Sequence, residues 1–154
     1  MPFCDYCRME HFSSGGEFAA AKRKALQQYE KIGRPWCPAL KTYVIFSRDG
    51  FEHLIRKHGV QRPKTEQRRR FRLIPCIEKI LADSASVVSH EEKIVGHRIK
   101  IRGERIAVKS RAHFWIFTNK RGGKVIKVVI RQFEGGEKHF WSTYTKKPSG
   151  REAS

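Results

Sequence analysis

The chain is expected to fold as α+β, with N-terminal helices packed on a C-terminal antiparallel β-meander of about four strands. Three observations predict this. Up to about Asp83 the apolar residues recur at helical spacing, from Ala85 onward they alternate at strand spacing, and glycine turns at 119–123 and 134–137 fall where a meander must reverse. A chain of 154 residues has room for one domain with a real core. We read 17–147 as that domain, 1–16 as a flexible segment carrying a C-x2-C, and 148–154 as a disordered polar tail.

Residues 17–32 have Ala-rich helix propensity, with Phe18, Ala21, Ala25, Tyr29 and Ile32 on one stripe, and Gly33-Arg34-Pro35 ends the run. W-C-P at 36–38 reads as a buried turn, and T-Y-V-I-F at 42–46 as a strand. Residues 47–59 then read as one helix, capped by Ser47 or Asp49 and stopped at Gly59. Phe51, Leu54, Ile55 and His58 fall on its apolar stripe, and His53, Arg56 and Lys57 project away from it. A further helix starts at Pro63 or Thr65 and buries Phe71, Leu73, Ile74, Ile77, Ile80 and Leu81, with Pro75 as a kink. Strands are expected at 84–89, 96–108, 112–118, 124–132 and 138–146.

The formal charge of +18 exceeds what solubility requires and points to a polyanionic partner, nucleic acid above all. The excess is uneven, net +3 over 1–50 and net +15 over 51–154. No apolar run approaches the ~20 residues of a spanning helix, and no signal peptide opens the chain, so a cytoplasmic protein without membrane contact is expected. Four cysteines do not make a disulfide framework. Cys4, Cys7, His11 and Cys37 form one candidate structural zinc set; the other reading is reduced thiols and no cofactor.

Imidazoles exchange protons near neutral pH, and flanking cations suit phosphate, so His53 and His58 with Lys57 are the first candidates for phosphodiester chemistry. On 138–146, alternation places His139, Trp141, Thr143 and Thr145 on one face and Phe140, Ser142 and Tyr144 on the other. Hydroxyls there can donate to phosphate oxygens, and Trp141 can stack on a base. Lys127 and Arg131 share a face of the preceding strand, opposite Ile126, Val128 and Ile130. Arg68, Arg69 and Arg70 are either a phosphate-binding run or a solvated helix face.

H-L-I-R-K-H after a strand, a second helix reaching L-I-P, and a meander ending in H-F-W-S-T-Y-T resemble the metal-independent ribonuclease toxins grouped as barnase, EndoU, colicin D and RelE-like, the phage and mobile-element branch in particular. The resemblance spans 42–146. It implies RNA cleavage by attack of the ribose 2'-hydroxyl on the adjacent phosphate, giving a 2',3'-cyclic phosphate with no metal. His53 and His58 are then the acid–base candidates, with His139 a third. Lys57 and Arg131 supply charge, and Ser142, Thr143 and Tyr144 act as donors. The partner is RNA, whether tRNA, rRNA or mRNA, together with an acidic antitoxin or immunity protein. His11, His90, His97 and His113 are assigned to the surface or to structure. Two other classes remain open: a non-catalytic RNA-binding or ribosome-associated protein, and a small zinc-dependent DNA-binding protein built on Cys4 and Cys7.

Overall fold

The computed structural model describes residues 15–146, so Cys4, Cys7, His11 and the tail from 147 lie outside the described residues. Helix α1 (Gly15–Ile32) buries Phe18, Ala25 and Tyr29, the stripe its sequence shows, and starts two residues before the expected position. It packs along α3 (Lys64–Ala82), which runs on past Pro75 and buries Phe71, Leu73, Ile74, Ile77, Ile80 and Leu81. Between them lie β1 (Trp36–Cys37), β2 (Thr42–Tyr43), α2 (Arg48–Ile55), β3 (Arg56–Lys57) and β4 (Val60–Gln61).

The segment 47–59 is not one helix. Helix α2 stops at Ile55, and β3 and β4 form a two-stranded hairpin about His58-Gly59, with φ of 52° and 77°. A two-residue hairpin turn with both φ positive matches the twist of its strands, and Gly59 takes the second such position without a Cβ penalty. Gly59 therefore closes a hairpin rather than capping a helix. His58 consequently leaves the apolar stripe and is exposed, as is Lys57. Phe51, Leu54 and Ile55 remain buried.

The expected strand at 42–46 is also shorter. Only Thr42–Tyr43 pair, with Trp36–Cys37, so W-C-P begins in a strand and turns after it. The next residues stay extended, and Ile45 forms a parallel bridge to His139. Ile45 N–H donates to the Lys138 carbonyl at 3.0 Å, and Phe140 N–H to the Ile45 carbonyl at 2.8 Å.

The C-terminal sheet is a four-stranded antiparallel meander in the order β5 (Val87–Ile101), β6 (Glu104–Arg121), β7 (Lys124–Phe133), β8 (His139–Lys146). The stretches expected as separate strands at 96–108 and 112–118, and 87–89 of the one expected at 84–89, belong to one long hairpin, β5 to β6, turning at Arg102-Gly103; residues 84–86 precede it outside any strand. Its outer part has no buried face, so burial imposes no apolar alternation there.

The helix-facing side of the sheet carries Phe117, Ile126, Val128, Ile130 and Phe140, which join the helices' apolar residues in the main core. Ala112, Phe114 and Val129, with Phe133, Trp141 and Tyr144 against them, form a smaller cluster on the opposite side. Strand β8 is bulged: Ile130 pairs with Phe140 and Val129 with Ser142, leaving Trp141 as the extra residue. The uniform alternation expected over 138–146 therefore breaks at Trp141, and Phe140 and Thr143 are both fully buried. No described helix is long and apolar enough to cross a membrane.

Candidate active site

Helix α2 lies against β8 and brings His53 to the bulge. Gly50 makes this approach possible, because a Cβ at that position would sit 2.6 Å from both the Phe140 carbonyl oxygen and the Tyr29 hydroxyl. That hydroxyl donates to the Ser47 carbonyl at 2.6 Å, fixing the entrance of α2. Burial raises the Tyr29 pKa well above its usual value, so it stays a donor.

At the bulge the His53 ring stacks on Trp141 with centroids 4.1 Å apart. The Arg131 guanidinium lies 3.5 Å from the Trp141 ring centre, and its Nε donates to His139 Nε2 at 3.0 Å. Two groups this close to one ring centre must take opposite faces. Trp141 is thus a spacer between His53 and the Arg131–His139 pair, with no face left for a base. Because guanidinium can only donate, His139 accepts at Nε2 and, when neutral, carries its proton on Nδ1.

Two more arginines stand behind His53. Arg62 Nε donates to the His53 carbonyl at 3.1 Å. Arg70 bonds Glu66 through Nε at 3.1 Å, and its Nη1 donates to Ser142 Oγ at 2.9 Å and the Thr143 carbonyl at 3.1 Å. Burial first, and then the charges of Arg62, Arg70, Arg131 and His58, push the His53 pKa down to about 3. Burial and Arg131 also hold His139 below its usual value. Burial pushes Arg62 and Arg131 down to about 10, where both stay charged at neutral pH. His53 Nδ1 is buried and has no hydrogen-bond partner among the described residues. The neighbourhood holds three partly buried arginines, and among the described residues the one carboxylate ion-paired to any of them is Glu66, on Arg70.

The other sequence candidates are dispersed. Lys57 and His58 ride on the exposed hairpin. The Thr143 hydroxyl is committed to the Lys127 carbonyl at 2.9 Å inside the core. Ser142 is buried against Arg70, and Tyr144 lies beneath the same guanidinium, 5.8 Å from ring centre to carbon. Lys127 is half-buried on the face opposite the main core. The three consecutive arginines part company: Arg68 lies over the Phe18 ring, Arg69 is exposed beside Glu66, and Arg70 turns to β8. Cys37 is a buried free thiol directed at the Leu81 carbonyl. No group of three or more metal-ligating side chains occurs among the described residues. A hollow of about 290 Å³ bounded by Arg34, Tyr43, Ile45, Gln132 and Lys138 has no histidine in its lining.

Arg62 was missed from the sequence. Its role is to meet a carbonyl in the last turn of α2 from beyond the hairpin, and no local pattern announces such a contact. His97, assigned to the surface or to structure, is half-buried; it bonds Ser110 at 2.8 Å and stacks on Phe133 at 4.2 Å, beside the Arg131 pair.

A pH effect on stability follows. In the unfolded chain His53 takes up a proton near its ordinary pKa of 6.5, whereas the folded protein resists protonation down to about 3. The unfolded state binds more protons between those values, so stability is full above the upper value and falls as pH drops through this window. Urea midpoints at pH 7 and pH 5 should show this loss, and His53→Phe should reduce it. An equal loss in the variant would assign the effect to other groups.

No family model matches this sequence, and no match was found among curated proteins or solved structures.

Proposed function

We propose that the protein is a metal-independent, toxin-like endoribonuclease acting at the β8 bulge. One observation carries this: two imidazoles, His53 and His139, flank a Trp141–Arg131 stack, with Arg62 and Arg70 adding charge that the single bonded carboxylate, Glu66, balances only in part. An RNA phosphate is the anion that suits such a place. Arg131 and Arg70 would hold it and stabilise the charge that builds on its oxygens during reaction. A phosphate among these cations also raises the pKa of both imidazoles, moving them back towards the range in which protons are exchanged.

In the proposed reaction neutral His53 takes the 2'-hydroxyl proton, the freed oxygen attacks the adjacent phosphorus, and the bond to the 5'-oxygen breaks. Protonated His139, released from the Arg131 bond that only its neutral form can accept, gives its proton to that leaving oxygen. The products are a 2',3'-cyclic phosphate and a 5'-hydroxyl. No metal is needed for this, and the cytoplasm, where RNA is abundant, is the proposed site of action. An acidic antitoxin or immunity protein would complement the same positive surface.

RNA incubated with the protein in excess EDTA should therefore be cut to ends bearing 2',3'-cyclic phosphate, and DNA should survive. An RNA with a 2'-deoxy sugar at the cleaved position should resist at that position. Binding without any cleavage would instead favour a non-catalytic RNA-binding protein. Cleavage abolished by EDTA and restored by a divalent metal would overturn the mechanism.

A further inference from the structure

The long hairpin is more than the edge of the sheet. Strand β7 pairs with β6 only from Ala112 to Arg121, so beyond Lys93 and Arg111 the hairpin continues alone as a two-stranded ribbon. At about 3.3 Å per residue, its paired part reaches roughly 25 Å past the sheet. It leaves at the end of the sheet that carries the candidate site: His97 near its root stacks on Phe133, which lies against Arg131.

The register separates its two faces, since residues paired across antiparallel strands point the same way. One face carries Arg98, Lys100, Arg105 and Lys109, with small residues between them: Arg98 is opposite Ala107, and Lys109 is opposite Gly96. Lys100 is directly opposite Arg105. Like charges so placed destabilise a strand pair, and a bound anion would relieve the cost. At the root the cations are neutralised, Lys93 by Glu91 at 3.0 Å and Arg111 by Glu92 at 2.9 Å. Further out, Arg98, Lys100, Arg105 and Lys109 are exposed and have no ion pair among the described residues.

We propose that this ribbon is an RNA-binding arm that lies along the phosphate backbone of a double-stranded segment flanking the cleaved strand. The position beside a cleaved strand rests on the ribonuclease reading; the binding itself does not. A duplex is favoured over a single strand because residues 94–110 contain no Phe, Tyr or Trp to stack on splayed bases. Double-stranded RNA is recognised mainly through its shape and backbone, which exposed cations on a narrow ribbon can follow. The substrate class is then a structured RNA, cut beside a stem.

The test uses the full chain and 2'-O-methyl RNA, which keeps the duplex geometry and cannot be cleaved by this route. The variant Arg98→Gln, Lys100→Gln, Arg105→Gln, Lys109→Gln is compared with the parent on a duplex and on a single strand of equal length. Each lost phosphate contact takes about 0.9 from the slope of log affinity against log salt on a B-form duplex. The duplex slope should fall by about 2 to 4, while the single-strand slope changes by less than about 1. Equal losses on both strands, or none on the duplex, would overturn the proposal. So would a change from dimer to monomer in the variant, measured by light scattering, which would make the ribbon an interface between two copies. If the parent binds duplex through the arm yet leaves unmodified RNA intact, the arm stands and the ribonuclease reading falls.

Discussion

His53→Ala should lower RNA cleavage by about 10² to 10⁴, the range for loss of a general acid or base, while His58→Ala stays within a few-fold of the parent. The two histidines differ in their surroundings. His53 is held by α2 against Trp141, with its carbonyl bonded to Arg62, whereas His58 occupies an exposed turn with φ of 52°. A proton-transfer group must be fixed near the phosphate, and only His53 of the two is fixed. Because the Trp141 stack is lost with the ring, His53→Phe is the control: it keeps the stack and cannot take a proton. Near-parental cleavage by His53→Phe would make His53 a packing residue. A loss in both His53 variants, with retained helix content and retained RNA binding, identifies a chemical role. Arg131→Met should be comparably damaging, because it removes the cation that is bonded to His139 and stacked on Trp141. Ser142→Ala should cost less, since Arg70 keeps its bonds to Glu66 and the Thr143 carbonyl.

The helices α1 and α3 and strands β7 and β8 were legible because one face of each is buried in a single core, which writes a period into the sequence. Phe71, Leu73, Ile74 and Ile77 could hardly lie on anything but a packed helix. The error at 56–59 has the opposite cause. Arg56, Lys57, His58 and Gly59 are all exposed, so burial imposes no period, and R-K-H-G satisfies a helix end and a hairpin turn equally well. The same holds for 94–110, a two-stranded ribbon with no buried face, of which 96–108 is expected as a single strand. The site was half legible. His53, Arg131 and Trp141 were singled out by residue type, but their meeting depends on the bulge that lifts Trp141 out of register. A bulge is a relation between two strands, invisible in either alone. Arg62 and the split of Arg68 from Arg70 are likewise tertiary facts, set by where α2, α1 and β8 lie around α3.

Gly50→Ala should destabilise the protein and misplace His53 in one step. Two effects oppose each other. Alanine in a helix interior is favoured over glycine by up to about 1 kcal/mol. Against this, the new methyl would lie 2.6 Å from the Phe140 carbonyl oxygen and 2.6 Å from the Tyr29 hydroxyl, with Phe140 Cδ2 at 2.9 Å. Side chains can turn aside, but the carbonyl belongs to β8 and is tied to the sheet. Overpacking of this kind costs about 1–3 kcal/mol or more, so the clash wins, and α2 must retreat from β8. For a domain of this size the thermal midpoint should drop by about 3–10 °C. Cleavage should fall as well, because His53 travels with the helix and loses its place on Trp141. Tyr29→Phe separates the two obstacles. Alone it should cost about 1 kcal/mol, since the Ser47 carbonyl still accepts from Gly50 and Phe51 N–H. Combined with Gly50→Ala it removes the hydroxyl clash and leaves the carbonyl clash, so the double variant should be more stable than the sum of the single losses predicts. Strict additivity, or a Gly50→Ala protein as stable and active as the parent, would show that α2 has slack against β8 and that His53 is not held there by close packing.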